Sequence, residues 1–140
     1  YRAISGGNLS PWSKRVTAKC RRILRFQGEQ LGGDKVAPAD ATALLLVGTN
    51  VNPEAEADLN RWYDEEHLPA LAAVPGVLCA RRFRASLSPM KYLALYHLSS
   101  SEVCAGAAWK KAVDTPRTHS MHAHMRDRLR IVCNAYQRNA

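Results

Sequence analysis

Two segments that are apolar at almost every position constrain the fold of this chain more than any other feature. A strand turns successive side chains to opposite faces, so a strand that is apolar throughout must be covered on both faces. The run ALLLV at residues 43–47 has no polar side, and the segment KYLALYHL at residues 91–98 is apolar on both of its faces. The chain is therefore predicted to contain a sheet packed against helices on one side and against a second layer on the other.

Turn and capping signals divide residues 41–140 into a regular series of elements. The predicted order is a strand over 41–49, a helix over 53–68, strands over 77–85 and 91–98, a helix over 103–113, a short helix after Thr115-Pro116, and a strand over 130–136. This order predicts an α+β fold, a ferredoxin-like βαββαβ subunit whose four-stranded antiparallel sheet carries its helices on one face. A second copy of the chain is the simplest cover for the bare apolar face, which predicts a homodimer through sheet packing.

The first forty residues differ from the rest in composition. Residues 1–28 contain no acidic residue, and Val16, Cys20, Ile23 and Leu24 would share one face of a short basic helix. The stretch from Gly32-Gly33 to Pro38 has the composition of a linker. The composition therefore predicts a partly ordered basic extension over 1–40 and a separate domain over 41–140. The extension could contact an anionic surface, act as a leader, or have no function of its own.

Length and composition limit the classes of function. A chain of 140 residues with 46% hydrophobic content supports one domain with a core, and no window is apolar for long enough to span a membrane. The four cysteines form no paired spacing, which favours a reducing, cytoplasmic setting. Most of the net charge of +8 comes from the extension, so a nucleic-acid partner is not expected. No glycine-rich phosphate loop, GxSxG or HExxH motif is present, and we expect no cofactor.

The segment DLNRWYDEEHLPAL at residues 58–71 carries the main candidate site. Helical spacing places Tyr63 and His67 on one face, with Trp62 on the adjoining face. Histidine titrates near neutrality, and Pro69 should stop or kink the helix near His67 and open space beside it. His67 and Tyr63 are therefore the candidate catalytic residues. In the alternative interpretation, His67 only interacts with the negative end of the helix, while Trp62 and Tyr63 fill the core.

Further candidates lie on the strands. Arg81 shares an apolar strand face with Val77, Cys79 and Phe83, so its guanidinium needs an anion, either a substrate carboxylate or an acidic residue of the protein. Arg82 and Arg84 fall on the other face and are expected to be solvated or at a dimer rim. The remaining candidates for substrate binding, besides Trp62 and Arg81, are Tyr92 and Tyr96, although the pattern favours core packing over a cleft for both.

The segment HSMHAH contains His119, His122 and His124 and raises the question of a metal site. Three ligands at these spacings would not converge on one side of a helix, and no acidic or cysteine ligand lies next to them in the sequence. A metal site is therefore not predicted.

The run VGTNVNPEAEADLNRWYDEEHLPALAAVPGVLCARRFRA, with the later KYLALYHL and AWKKAVDTP, resembles the EthD-like branch of the dimeric α+β barrel superfamily. The resemblance covers residues 43–136, and its most specific part is WYDEEHLP followed by PGV and an arginine-containing strand. It implies a ferredoxin-like subunit, a dimer with packed sheets, and a small-molecule cleft between sheet and helices. In this pattern His67 matches a position suspected of proton chemistry. Relatives include muconolactone isomerases, polyketide cyclases and decarboxylases, so the fold alone does not choose a reaction.

These observations predict a cofactor-independent enzyme that acts on a small aromatic or lactone-like compound by proton transfer at His67. The reaction would be of the isomerase, cyclase, dehydratase or decarboxylase type. The alternative is a non-catalytic protein of the same fold that binds a small molecule.

Overall fold

The computed structural model describes residues 9–19 and 26–136 and contains one antiparallel sheet of five strands. The strands are β1 (Gln27–Gly33), β2 (Ala43–Val51), β3 (Val77–Leu87), β4 (Tyr92–Leu98) and β5 (Met125–Asn134), arranged in the order β1-β3-β4-β2-β5. Because β4 lies between β2 and β3, the connection from β2 through a helix to β3 is a split βαβ unit. The α+β, ferredoxin-like arrangement predicted from the sequence is confirmed.

The helices follow the predicted order. They are α1 (Pro11–Lys19), α2 (Glu56–Trp62), a π-helical turn (Tyr63–His67), α3 (Leu68–Ala72), α4 (Ala107–Val113) and α5 (Pro116–His122). Two short 3-10 turns, Pro53–Ala55 and Ser101–Ala105, precede α2 and α4. The side chain of Thr115 caps α5 by accepting a hydrogen bond from the backbone N–H of Thr118. No helix in the described residues is long and apolar enough to cross a membrane.

The sheet has five strands and not the four predicted, because β1 comes from the segment interpreted as an extension and linker. Gln30 and Glu29 lie on β1, which pairs with β3. Glu29 forms an ion pair with Arg84, and Gln30 accepts a hydrogen bond from Arg81. The sequence QGEQLGG lacks the apolar alternation that is typical of a strand. It can still form an edge strand, because main-chain pairing can hold such a strand. Three of the four residues of the helical face predicted for residues 16–24, Cys20, Ile23 and Leu24, lie outside the described residues.

The core lies between the helices and one face of the sheet. Leu45 and Tyr96 from the sheet meet Leu59, Trp62 and Leu71 from the helices, and each of these side chains is at most 1% exposed. On the opposite face, the segment after β1 covers part of the sheet, since the main chain at Val36 and Lys35 contacts Cys79 and Arg81. Leu44, Leu46 and Leu95 on that face remain half-buried. The helix-covered face therefore forms the main core of the subunit.

Candidate active site

A π-helical turn interrupts the long helix at the candidate site. The backbone N–H of Leu68 donates to the carbonyl of Tyr63, five residues earlier, and α3 then continues to Ala72. The predicted stop near His67 is therefore wrong, because the chain stays helical, with a π-helical turn at the position where a stop or kink was expected. Pro69 lies in the first turn of α3, where its missing N–H is tolerated. Single π-helical turns are frequent at functional sites.

The π-helical turn changes which side chains meet. In a π-helix the residue five positions back, and not four, lies beneath a given residue, so His67 is stacked on Trp62. The ring centroids are 4.1 Å apart with an angle of 29° between the planes. Tyr63 contacts His67 edge to face, with centroids 5.0 Å apart. Trp62, Tyr63 and His67 therefore form one aromatic cluster, whose closest contact is the stack that helical spacing did not predict.

This cluster forms one wall of a cavity of about 290 Å³ between the helices and the sheet. Tyr96 on β4 and Trp109 on α4 lie on it and contact each other edge to face, with ring centroids 5.2 Å apart. The remaining lining residues are Leu45, Val47, Thr49, Leu71, Val113, His122, Met125, Arg128, Leu129 and Arg130. The lining is therefore mainly apolar and aromatic, as is typical of small-molecule sites.

Three polar atoms of the cavity-lining residues are buried and lack a hydrogen-bond partner within the described residues. They are the indole Nε1 of Trp62, the Nδ1 of His67 and the hydroxyl of Tyr96. Trp62 is 0% and Tyr96 1% exposed, so neither side chain reaches bulk solvent. A buried polar group without a partner is costly, so three such groups on residues that line one cavity are a distinctive feature of this site.

Burial sets the protonation state of the site. Desolvation, followed by the positive charges possible at His122 and present at Arg82, lowers the pKa of His67 from 6.5 to about 3. Desolvation also raises the pKa of Tyr63 and of Tyr96, although Arg82 opposes the shift at both. At neutral pH the site therefore contains a neutral imidazole and two protonated phenols.

Two positively charged side chains from β5 and a histidine from α5 reach the same cavity. Arg128, Arg130 and His122 line it, and no acidic residue in the described part of the chain does. Arg128 lies 3.4 Å from the Nε2 of His122, and Arg130 donates to the carbonyl of Cys104. Within the described ranges, no carboxylate forms an ion pair with Arg128 or Arg130. The cavity therefore presents a positive electrostatic surface to a ligand.

Sequence reasoning missed this cationic side because the last strand begins at Met125 and not near residue 130. The alternation of Arg126, Arg128 and Arg130 is the signal that could have identified it. His122 was considered only as a metal ligand, whereas it lines the cavity. The neighbouring His119 instead pairs with Asp114 at 2.7 Å. In the part of the chain that the structure describes, no three His, Cys, Asp or Glu side chains are placed to hold a metal ion.

The prediction that Arg82 is solvated is wrong. Arg82 is 1% exposed, and its guanidinium carbon lies 4.1 Å from the ring centroid of Tyr63 and 4.7 Å from that of Tyr92. It donates to Asn60 at 2.8 Å and lies 3.9 Å from Asp64. The face of β3 that carries Arg82 is the one that the helices cover. Arg82 therefore supports Tyr63 from behind the cavity wall.

Four of the six predicted site residues surround the cavity, and two do not. Trp62, Tyr63, His67 and Tyr96 line it. Arg81 lies on the opposite sheet face, where it donates to Gln30 at 3.1 Å and lies over the ring of Phe83. Tyr92 lies on the helix side, but its hydroxyl donates to Glu56 at 2.5 Å and accepts from Asn60 at 3.3 Å. Arg81 and Tyr92 are thus paired within the protein, away from the cavity.

The fold and the site define a ferredoxin-like α+β protein with an aromatic cavity between helices and sheet. A crystal structure of a protein from Lactobacillus acidophilus NCFM, described as a putative monooxygenase, superimposes with a TM-score of 0.52 and 14% sequence identity. The superposition covers 94% of this chain and 64% of that protein, so the chain spans less than two thirds of its length. At this identity the likeness shows the shared fold alone. No family model and no curated protein matches the sequence.

Proposed function

We propose that the protein is a cofactor-independent enzyme that moves a proton on a small aromatic or lactone-like compound, with His67 as the proton-transfer residue. The observation that carries this proposal is that the neutral imidazole of His67, the Tyr96 hydroxyl and the Trp62 indole belong to residues lining one cavity, and each has a buried polar atom with no partner among the described residues. A base, an oxygen-binding donor pair and an aromatic wall are the groups needed to enolise a carbonyl compound.

The lowered pKa of His67 fixes the direction of the first proton transfer. The imidazole is unprotonated in the free protein, so it can accept a proton but cannot donate one first. Protonation is disfavoured by burial, and a negative charge that develops on a nearby substrate would offset this cost. The hydroxyl of Tyr96, held protonated by burial, would donate to the developing enolate oxygen. Isomerisation, cyclisation, dehydration and decarboxylation can all use such a pair.

The resemblance of WYDEEHLP to the EthD-like pattern supports the same position for His67, and we retain that branch as part of the proposal. The structural neighbour is described as a putative monooxygenase. Oxygen consumption therefore belongs in the assay beside proton exchange.

The test is proton exchange at an acidic carbon. Phenylpyruvate and α-angelica lactone in D₂O would be followed by NMR, with dissolved oxygen monitored in parallel. The wild-type protein should accelerate loss of the C–H signal of at least one probe, and His67→Gln should reduce that acceleration by about 10²- to 10⁴-fold. His119→Gln is the matched control, because His119 is exposed and outside the cavity. Equal rates for His67→Gln and the wild type would contradict the proposal.

Non-catalytic binding of a small molecule is the second candidate. It is favoured by the same pKa of about 3, because so weak a base removes protons slowly unless a substrate raises its pKa. Binding of a probe, detected by calorimetry, with no proton exchange and no oxygen consumption would favour this function.

The homodimer is part of the proposal and rests on the sheet face opposite the helices. Leu44, Leu46 and Leu95 lie there half-buried, although the strands that carry them are central in the sheet. A second copy packed on this face would remove them from water.

A further inference from the structure

The geometry points to a more specific ligand for the cavity: a small aromatic carboxylate that carries an oxygen substituent at its far end. The carboxylate would bind at Arg128 and Arg130, and the oxygen would bind at Tyr96 and Trp62. This inference deepens the proposed function, since it concerns the same cavity. It rests on Trp62 and Tyr96, which the proposed function already places beside a substrate oxygen, and on Arg128 and Arg130, to which the proposed function gives no partner.

The buried side of the cavity, where Trp62 and Tyr96 lie, can accept an oxygen. Trp62 can only donate through its indole N–H, and the Tyr96 hydroxyl can donate or accept. Both atoms are buried and lack a partner among the described residues. An oxygen that accepts from the indole and exchanges a hydrogen bond with Tyr96 satisfies both groups at once. A purely hydrocarbon end would leave both unsatisfied, which binding should penalise.

The exposed side of the cavity, where Arg128 and Arg130 lie, can accept an anion. Arg128 and Arg130 line it with His122, and neither arginine has a carboxylate partner in the described part of the chain. The guanidinium of Arg128 lies beside a histidine and that of Arg130 beside a backbone carbonyl. A ligand carboxylate can therefore form charge-assisted hydrogen bonds here without displacing a protein carboxylate.

The side chains that line the cavity and the cavity volume indicate the chemical nature of the rest of the ligand. The rings of Trp62, Tyr63, His67, Tyr96 and Trp109 line the same cavity. Flat aromatic ligands pack well against such rings. The volume of about 290 Å³ lies near the lower limit of the range for small-molecule pockets, which favours one aromatic ring or a fused pair.

Three probes of nearly equal size separate the two polar contributions. They are 4-hydroxybenzoate, benzoate without the hydroxyl oxygen, and 4-hydroxybenzamide without the charge. Isothermal calorimetry would measure their affinities for the wild type, for Tyr96→Phe and for the double variant Arg128→Gln/Arg130→Gln. The charge-matched control is Arg61→Gln/Lys110→Gln, which removes two exposed positive charges outside the cavity. Thermal melts would establish that every variant is folded.

We expect 4-hydroxybenzoate to bind the wild type about tenfold or more tighter than either of the other probes. Arg128→Gln/Arg130→Gln should weaken both carboxylates by about tenfold and leave the amide unchanged, whereas the control should change none of the three. Tyr96→Phe should weaken 4-hydroxybenzoate and leave benzoate unchanged. Because Tyr96→Phe removes only a hydroxyl without a protein partner, it should not unfold the protein.

Equal affinity for the acid and the amide, or equal loss in the double variant and its control, would overturn the anionic assignment. An unchanged affinity of Tyr96→Phe for 4-hydroxybenzoate would overturn the oxygen contact. Failure of all three probes to bind would overturn the ligand class. The proton-exchange assay uses a lactone probe and the His67→Gln variant, so the proposed function can survive or fail independently of these outcomes.

Discussion

The imidazole of His67 is stacked on the indole of Trp62, with ring centroids 4.1 Å apart. This contact exists because the turn between the two residues is π-helical. It holds the imidazole against the cavity wall and covers one of its faces with an apolar ring. Since the indole N–H and the imidazole Nδ1 both lack a partner among the described residues, the stacked pair offers two neighbouring polar atoms to a ligand.

The depressed pKa of His67 predicts a loss of stability in acid. In the unfolded chain His67 binds a proton near pH 6.5, whereas in the folded protein it does so only near pH 3. The contribution of His67 to the free energy of unfolding is therefore fully present above pH 6.5. It falls as the pH decreases towards 3, by up to about 1.4 kcal/mol per pH unit. The free energy of unfolding, measured by urea denaturation at pH 7, 6 and 5, should fall less steeply with decreasing pH for His67→Gln than for the wild type. An equal dependence on pH in His67→Gln and in the wild type would refute the buried, neutral imidazole.

Replacement of Arg82 should destabilise the fold more than replacement of its neighbour. Arg82→Lys cannot keep a planar group over both tyrosine rings while it donates to Asn60, so we expect a loss of about 2 kcal/mol in the free energy of unfolding. Arg81→Lys, on the half-buried opposite face, should cost less than about 1 kcal/mol. Urea denaturation of both variants checks this difference. A larger effect at Arg81 would show that the two arginines are placed on the wrong faces.

A glycine at the end of β1 tests whether this strand belongs to the domain. Gly33 has φ of +86°, and a Cβ there would lie 1.9 Å from the backbone oxygen of Ala80. Gly33→Ala should therefore break the end of the pairing between β1 and β3 and reduce the free energy of unfolding by about 1 to 3 kcal/mol. At the adjacent Gly32 a Cβ would meet only the side chain of Leu68, at 3.8 Å, so Gly32→Ala is the matched control. Thermal melts that shift equally for both variants would contradict the pairing.

The proposed dimer can be disrupted at one position on the bare sheet face. Leu95→Lys places a charge among half-buried leucines and should convert a dimer of two 15.5 kDa chains to a monomer in light scattering at micromolar concentration. Leu87→Lys is the control, since Leu87 is 61% exposed near the end of β3. A wild-type protein that is monomeric in the same measurement would remove the sheet-packing proposal.

Local sequence signals were sufficient for much of the fold. The apolar strands, Pro75-Gly76 and the cap at Thr115 act within a few residues, so they predicted the ferredoxin-like order correctly. The composition of WYDEEH also identified three residues that do line the cavity. Short-range periodicity determines such features because they depend on neighbours in the chain.

The tertiary structure decided the features that depend on distant pairing. Alternation shows that Arg81 and Arg82 face opposite ways, but only the packed helices show that Arg82 is the buried one. The polar segment of β1 becomes a strand only because the edge of β3 is available to it. Arg128 and Arg130 join the cavity through the pairing of β5 with β2, residues far apart in the chain. Contacts of this kind leave no periodic signal within either segment, because each depends on an element folded elsewhere.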